Sequence, residues 1–122
     1  MGTKTILVID DNELTIKLVR NLLRIENYRV LEAENADKGI RLAQQFQPDL
    51  IIMDIQLPGM DGLQATKQIL SDKNLKQIPI VGFSSYAMDR DKENALAAGC
   101  VAYMTKPIDT KSFLKTIAEH IQ

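Results

Sequence analysis

Five polar residues of this sequence could do chemistry together, and all of them stand at the ends of short apolar runs. Asp10-Asp11 follow Thr5-Ile-Leu-Val-Ile9, and Asp54 follows Leu50-Ile-Ile-Met53. Ser84 follows Ile78-Pro-Ile-Val-Gly-Phe83, and Lys106 comes one residue after the run Val101-Ala-Tyr-Met104 is closed by Thr105. Three carboxylates brought to one place repel and raise one another's pKa values unless a cation joins them. A hard divalent ion is the natural partner. Mg²⁺ suits best, because it takes one or two carboxylates, keeps waters and shares phosphate oxygens. A lysine and a hydroxyl beside such an ion supply a charge for phosphoryl oxygens and a hydrogen-bond donor. A carboxylate can itself be the nucleophile and form an acyl phosphate.

Taken singly, each residue has a plainer reading. Asp10-Asp11 would serve as a turn or helix cap, Asp54 as a loop acid, Ser84 as a partner for a backbone group and Lys106 as a surface cation. Only their joint placement points to chemistry, so the elements that place them decide the matter.

The apolar runs lack polar alternation, as strands covered on both faces do, and this is the habit of parallel sheets. Arg29-Val-Leu-Glu-Ala33 is mixed and reads as an edge or near-edge strand. Between the runs lie segments of helical period. From Glu13 to Glu26 the spacing predicts a helix with a stripe of Leu14, Leu18, Val19, Leu22, Leu23 and Ile25. Ala36 to Phe46 and Leu63 to Leu70 repeat the pattern more briefly, and Asp89 to Ala98 is weaker, with Gly99 placed as its C-terminal cap. The last helix enters through Asp109 as cap, with Ile108 and Phe113 spaced as a hydrophobic staple. Five strands alternating with five helices imply an α/β domain with right-handed crossovers and an open, doubly wound parallel sheet. Ligands bind such sheets outside the carboxyl ends of the strands, which is where the five polar residues fall.

Composition limits the alternatives. The chain has 122 residues, enough for one domain and no second, with 45% hydrophobic and 25% charged residues. Fifteen basic against sixteen acidic side chains leave a net charge of -1, so nothing draws the chain to nucleic acid or to an anionic membrane. Its single cysteine, Cys100, makes no internal disulfide, fits a reducing cytoplasm and reads as a small buried residue. Leu50 to Met53 is far short of a membrane span. His120 reads as a solvated cation at a helix end.

On these residues the sequence resembles the response-regulator receiver domain, the phospho-acceptor module of two-component signalling. The stretches that carry the likeness are Ile6-Leu-Val-Ile-Asp-Asp-Asn12 and Asp54-Ile-Gln-Leu-Pro-Gly-Met-Asp-Gly62, with Ser84 thirty residues after Asp54 and Lys106-Pro107 following at fifty-two. The wording is most similar to stand-alone receivers of the chemotaxis and cell-cycle regulator type. The resemblance implies a (βα)5 fold with flavodoxin-like strand order 2-1-3-4-5, one receiver domain over 1–122 and no output domain. It implies that Asp54 is phosphorylated, and that Asp11, Asp54 and the main-chain carbonyl of Gln56 bind Mg²⁺, with Asp10 supporting through water. Lys106 would contact a phosphoryl oxygen, pairing with Asp54 or the ion beforehand, and the Lys106-Pro107 bond would be cis. Ser84 and Tyr103 would carry the switch to the surface of the fourth helix, fifth strand and fifth helix.

The same likeness implies a histidine kinase or histidine phosphotransfer protein as donor, docking near Leu14 and Leu18. It implies a downstream protein target, and a monomer or a weak dimer formed on phosphorylation. Such a protein is a signalling switch that catalyses only its own phosphoryl transfer and autodephosphorylation. Ser84 stands where threonine is commoner, and Ser85 replaces a smaller residue. Gly82 should loosen the fourth strand slightly. Gln56 and Tyr86 would flank the access of water to the phosphate, with Tyr86 prolonging the phosphorylated state. A flavin-binding electron carrier would share the strand order, but Asp10-Asp11 would repel the phosphate of its cofactor. A hydrolase with an aspartate nucleophile would want a second acid where Gln56 stands.

Overall fold

In a computed structural model, residues 2–57, 61–84 and 89–121 are described. The chain alternates β1 (Thr5–Ile9), α1 (Glu13–Ile25), β2 (Arg29–Ala33), α2 (Ala36–Phe46), β3 (Leu50–Asp54), α3 (Gly62–Ser71), β4 (Ile80–Ser84), α4 (Asp89–Ala98), β5 (Ala102–Thr105) and α5 (Thr110–His120). All four strand pairs are parallel, and the order β2-β1-β3-β4-β5 is the expected doubly wound, flavodoxin-like one. The mixed run Arg29–Ala33 is an edge strand, whereas every residue of β3 and β4 is buried.

Alternation along the strands sorts the core into two layers. Leu7, Ile9, Ile51, Met53 and Ile80 face α2, α3 and α4. Ile6, Val8, Leu50, Ile52, Val81 and Phe83 face α1 and α5, where they meet Val19, Leu23, Phe113 and Ile117. Each such side chain, once fully buried, contributes about 1.5–3 kcal/mol. Both faces of the sheet are therefore dry, and polar side chains gather where the strands end.

Caps set the helices against the sheet. Asn12 accepts from the Leu14 and Thr15 amides at the start of α1, and Asp109 accepts from the Ser112 amide at the start of α5. Gly99 ends α4 with φ +116, a conformation that suits glycine.

The apolar stripe of α1 differs from the expected one. Ile16, Val19 and Leu23 are buried, at i, i+3 and i+7, while Leu14, Leu18 and Ile25 are exposed. The helix carries more apolar residues than one face can bury, and its rotation is chosen by the sheet beneath it. Gly82 also has a packing role in β4. A Cβ there would lie 3.2 Å from Ile55 Cδ1 and 3.4 Å from both Ala95 Cβ and Cys100 Sγ, so its bare backbone lets α4 pack closely. Among the described residues no helix is long and apolar enough to cross a membrane.

Candidate functional site

The carboxyl ends of β1, β3 and β5 converge. Asp10 directly follows β1, and its amide donates to the Ala33 carbonyl at 3.0 Å. Its side chain is buried, with Oδ1 accepting from the Asn12 amide at 2.8 Å. The cap of α1 and the orientation of this acid are thus parts of one short turn. Asp54 is the last residue of β3, paired in register with Phe83 of β4. Its Oδ1 accepts from the Gln56 amide at 2.9 Å, and it is 3% exposed, so its carboxyl is shut away from bulk water. Asp11 is exposed and forms the solvent side of the group. One carboxylate oxygen from each of Asp10, Asp11 and Asp54 lies within 4.8 Å of the others.

Lys106 enters from the end of β5. Its amide donates to the Ser84 carbonyl at 2.8 Å, and the peptide bond to Pro107 is cis. Its ammonium lies 3.0 Å from Asp10 Oδ2 and 3.7 Å from Asp54 Oδ2. The ammonium also sits over the Phe83 ring, 5.0 Å from the centroid. Ser84 is buried at the end of β4, facing Thr105 across the ladder. Tyr103 is half-buried, opposite Gly82 in the same ladder, and packs against the core layer under α2 to α4.

Electrostatics at Asp54 follow from this placement. Burial lifts its carboxyl above the ordinary range, and the neighbouring charges of Asp10 and Asp11 push the same way. The Gln56 amide and the Lys106 ammonium oppose them. Among the described residues, three carboxylates of the cluster stand against one ammonium. Asp10 Oδ2 is buried, touches the ammonium, and has no hydrogen bond of good geometry. This all-oxygen, under-compensated donor set fits a hard divalent cation, with Asp10, Asp11 and Asp54 as the residues able to hold it.

The backbone that carries Asp54 is tightly held. The Gly62 amide donates to the Ile55 carbonyl at 3.0 Å, and a Cβ on Gly62 would lie 2.2 Å from the Asp54 carbonyl oxygen. The start of α3 therefore rests directly on the chain beneath the acid. Sequence reasoning did not find this contact, nor the priority of Asp10 over Asp54 as partner of Lys106, nor the ring beneath the ammonium. The Gly that ends the Asp54-to-Gly62 stretch was the one visible signal for the first. Tyr86, Ser85, Pro58 and Gly59 lie outside the described residues.

The model of the response regulator receiver domain matches residues 6–118 of this chain. The chain belongs to that family, and is a receiver domain of the kind found in response regulators. It is 38% identical over 119 residues to the polar-differentiation response regulator DivK of Brucella ovis, an alignment covering 98% of this chain and 97% of DivK. Among solved structures it resembles the receiver domain of the sensor histidine kinase PA1611 of Pseudomonas aeruginosa, which has a magnesium ion coordinated in its active site cleft. That match has TM-score 0.90 and 29% identity, and covers 98% of both chains. It also resembles a chain of the Saccharomyces cerevisiae co-crystal of the histidine phosphotransfer protein Ypd1 with the receiver domain of Ssk1. Here the TM-score is 0.89 and the identity 26%, with 97% of this chain and 88% of that one covered.

Proposed function

We propose that the domain takes a phosphoryl group onto Asp54 from a phosphohistidine donor and uses the modified state to switch a protein-binding surface. The observation that carries this reading is the Lys106 ammonium poised 3.7 Å from the Asp54 carboxylate inside a cluster of acids. In the transfer, an Asp54 carboxylate oxygen attacks phosphorus as the phosphorus–nitrogen bond of the donor breaks. The electron pair stays on the imidazole nitrogen, and the product is an acyl phosphate. Lys106 holds a transferring oxygen, and Ser84 donates its hydroxyl to the phosphoryl group. Asp11, Asp54 and the Gln56 carbonyl, with Asp10 behind, would hold Mg²⁺, which would supply positive charge for the phosphoryl oxygens. The magnesium in the PA1611 receiver supports that choice of ion.

Exposed Leu14 and Leu18, beside Lys106, Pro107 and Ile108 around a cavity of about 210 Å³, form the face for the donor's helices. The pairing of a receiver with Ypd1 supports a histidine phosphotransfer protein or kinase there. The added charge draws Ser84 and Lys106 inward, and Tyr103 passes the change to α4, β5 and α5 for a downstream protein or a second copy. Slow hydrolysis of the acyl phosphate resets the switch.

The test is exposure of wild type and Asp54→Asn to a small phosphodonor with and without Mg²⁺, read by intact mass. Wild type should gain one phosphoryl group only with Mg²⁺, and the variant none while keeping its fold. Labelling of the variant, or of wild type without the metal, would overturn the assignment.

A further inference from the structure

The Lys106 ammonium has three neighbours of different kinds: Asp10 at 3.0 Å, Asp54 at 3.7 Å and the Phe83 ring at 5.0 Å. The two acids explain why a cation is wanted here, but not why it stops short of Asp54. At 3.7 Å the ammonium is beyond hydrogen-bonding distance of the Asp54 carboxyl, although both are largely buried. Phe83 stands opposite Asp54 in the β3–β4 register, and its side chain belongs to the layer under α1 and α5. Phe83 is fully buried, so its ring meets the ammonium away from bulk water. The negative face of an aromatic ring attracts an ammonium within about 6 Å, more strongly where water is partly excluded. The Lys106 side chain is only 19% exposed.

We infer that Phe83 is a positioning residue for phosphoryl transfer: its ring face and Asp10 together hold the Lys106 ammonium beside Asp54 without letting it close on the carboxylate. An aliphatic side chain of similar bulk would fill the same space and exert no such pull. With the ring in place the cation is pre-set 3.7 Å from Asp54 Oδ2, and the incoming phosphoryl group meets it after a short movement. Less ordering of the lysine is then required in the transition state. This rests on the assignment of Asp54 as phospho-acceptor.

Fluorinated phenylalanines at position 83 provide the test, because added fluorines drain the ring face while nearly preserving its shape. The phosphodonor assay with Mg²⁺ should slow stepwise through mono-, di- and trifluorophenylalanine, reaching roughly three- to tenfold at the end of the series and in Phe83→Leu. Melting temperature should stay nearly constant across the fluorinated set. In parallel, without any phosphodonor, the side-chain NMR signals of Lys106 should lose their ring-current shift in Phe83→Leu. Uptake that is flat across the fluorinated series, or Lys106 signals unmoved by Phe83→Leu, would each overturn the inference. Wild type that takes up no phosphoryl group would instead remove the assignment of Asp54, and the Lys106 signals would still decide whether the ring holds the ammonium.

Discussion

Lys106 pairs first with Asp10. Its Nζ lies 3.0 Å from Asp10 Oδ2, and the Asp10 side chain is fully buried, whereas the lysine keeps a fifth of its surface in water, at 19% exposure. The ammonium thus compensates the acid with the least access to solvent. Asp54 retains the Gln56 amide as its close donor and stands at the edge of the lysine's reach. An arrangement of this kind keeps the ammonium short of Asp54 while offsetting the cost of burying Asp10.

The first prediction concerns that pair. Lys106→Met leaves Asp10 buried beside two other carboxylates with no counter-charge. In metal-free buffer the domain should lose about 2 kcal/mol, less than the 3–5 of a fully buried pair because the lysine is partly exposed. Saturating Mg²⁺ should return part of that loss, since a cation bound only by the folded state stabilises it. Urea unfolding with and without the metal measures both, and a variant as stable as wild type in metal-free buffer would refute the role given to the pair.

Protonation at Asp54 should be visible in stability. Burial raises its folded pKa, so ionising it disfavours the fold. The penalty is complete above the raised pKa and fades as pH falls from there to the ordinary value of an unfolded aspartate. Metal-free Asp54→Asn should therefore melt a few degrees above wild type at neutral pH, the shift that about 1 kcal/mol gives in a domain of this size. The gap should narrow as the solution is acidified. A gap that is constant with pH would exclude the carboxyl as its source.

Gly62 should tolerate no side chain. The Cβ of Gly62→Ala would come 2.2 Å from the Asp54 carbonyl oxygen and 2.6 Å from Ile55 Cα, both parts of the backbone. Either α3 lifts or the strand end shifts, at about 1–3 kcal/mol. Denaturant midpoint and the rate of labelling at Asp54 should fall together. Full stability with full labelling would mean that the contact is slack.

Cys100 should be inert in the folded state. Burial pushes its thiol up to about 11, with Thr66 Oγ1 4.0 Å from the sulfur. Because only the thiolate attacks, alkylation near pH 8 should be at least about a hundredfold slower than in urea. Mass spectrometry of iodoacetamide-treated protein gives the two rates, and similar rates would show that the site opens readily.

Local signals made the elements and the site's membership legible from the residue order alone. Runs such as Leu50–Met53, too uniformly apolar for a half-exposed strand, dictate burial on both faces and hence a parallel sheet flanked by helices. The caps Asp109 and Gly99 act within a few residues of themselves, so they are readable without the fold. The convergence of Asp10, Asp11, Asp54 and Lys106 follows from the strand order, because parallel strands deliver their carboxyl ends to one rim. Tertiary structure alone decided the choices among near-equal partners. Which side of α1 faces the sheet, leaving Leu14 and Leu18 outside, depends on the shape of the layer below it. Whether Lys106 favours Asp10 or Asp54 depends on a difference of less than an ångström, 3.0 against 3.7 Å, which only the packed chain fixes. Interactions between residues far apart in the chain depend on distance and solvent exclusion, and neither is encoded in spacing along the sequence.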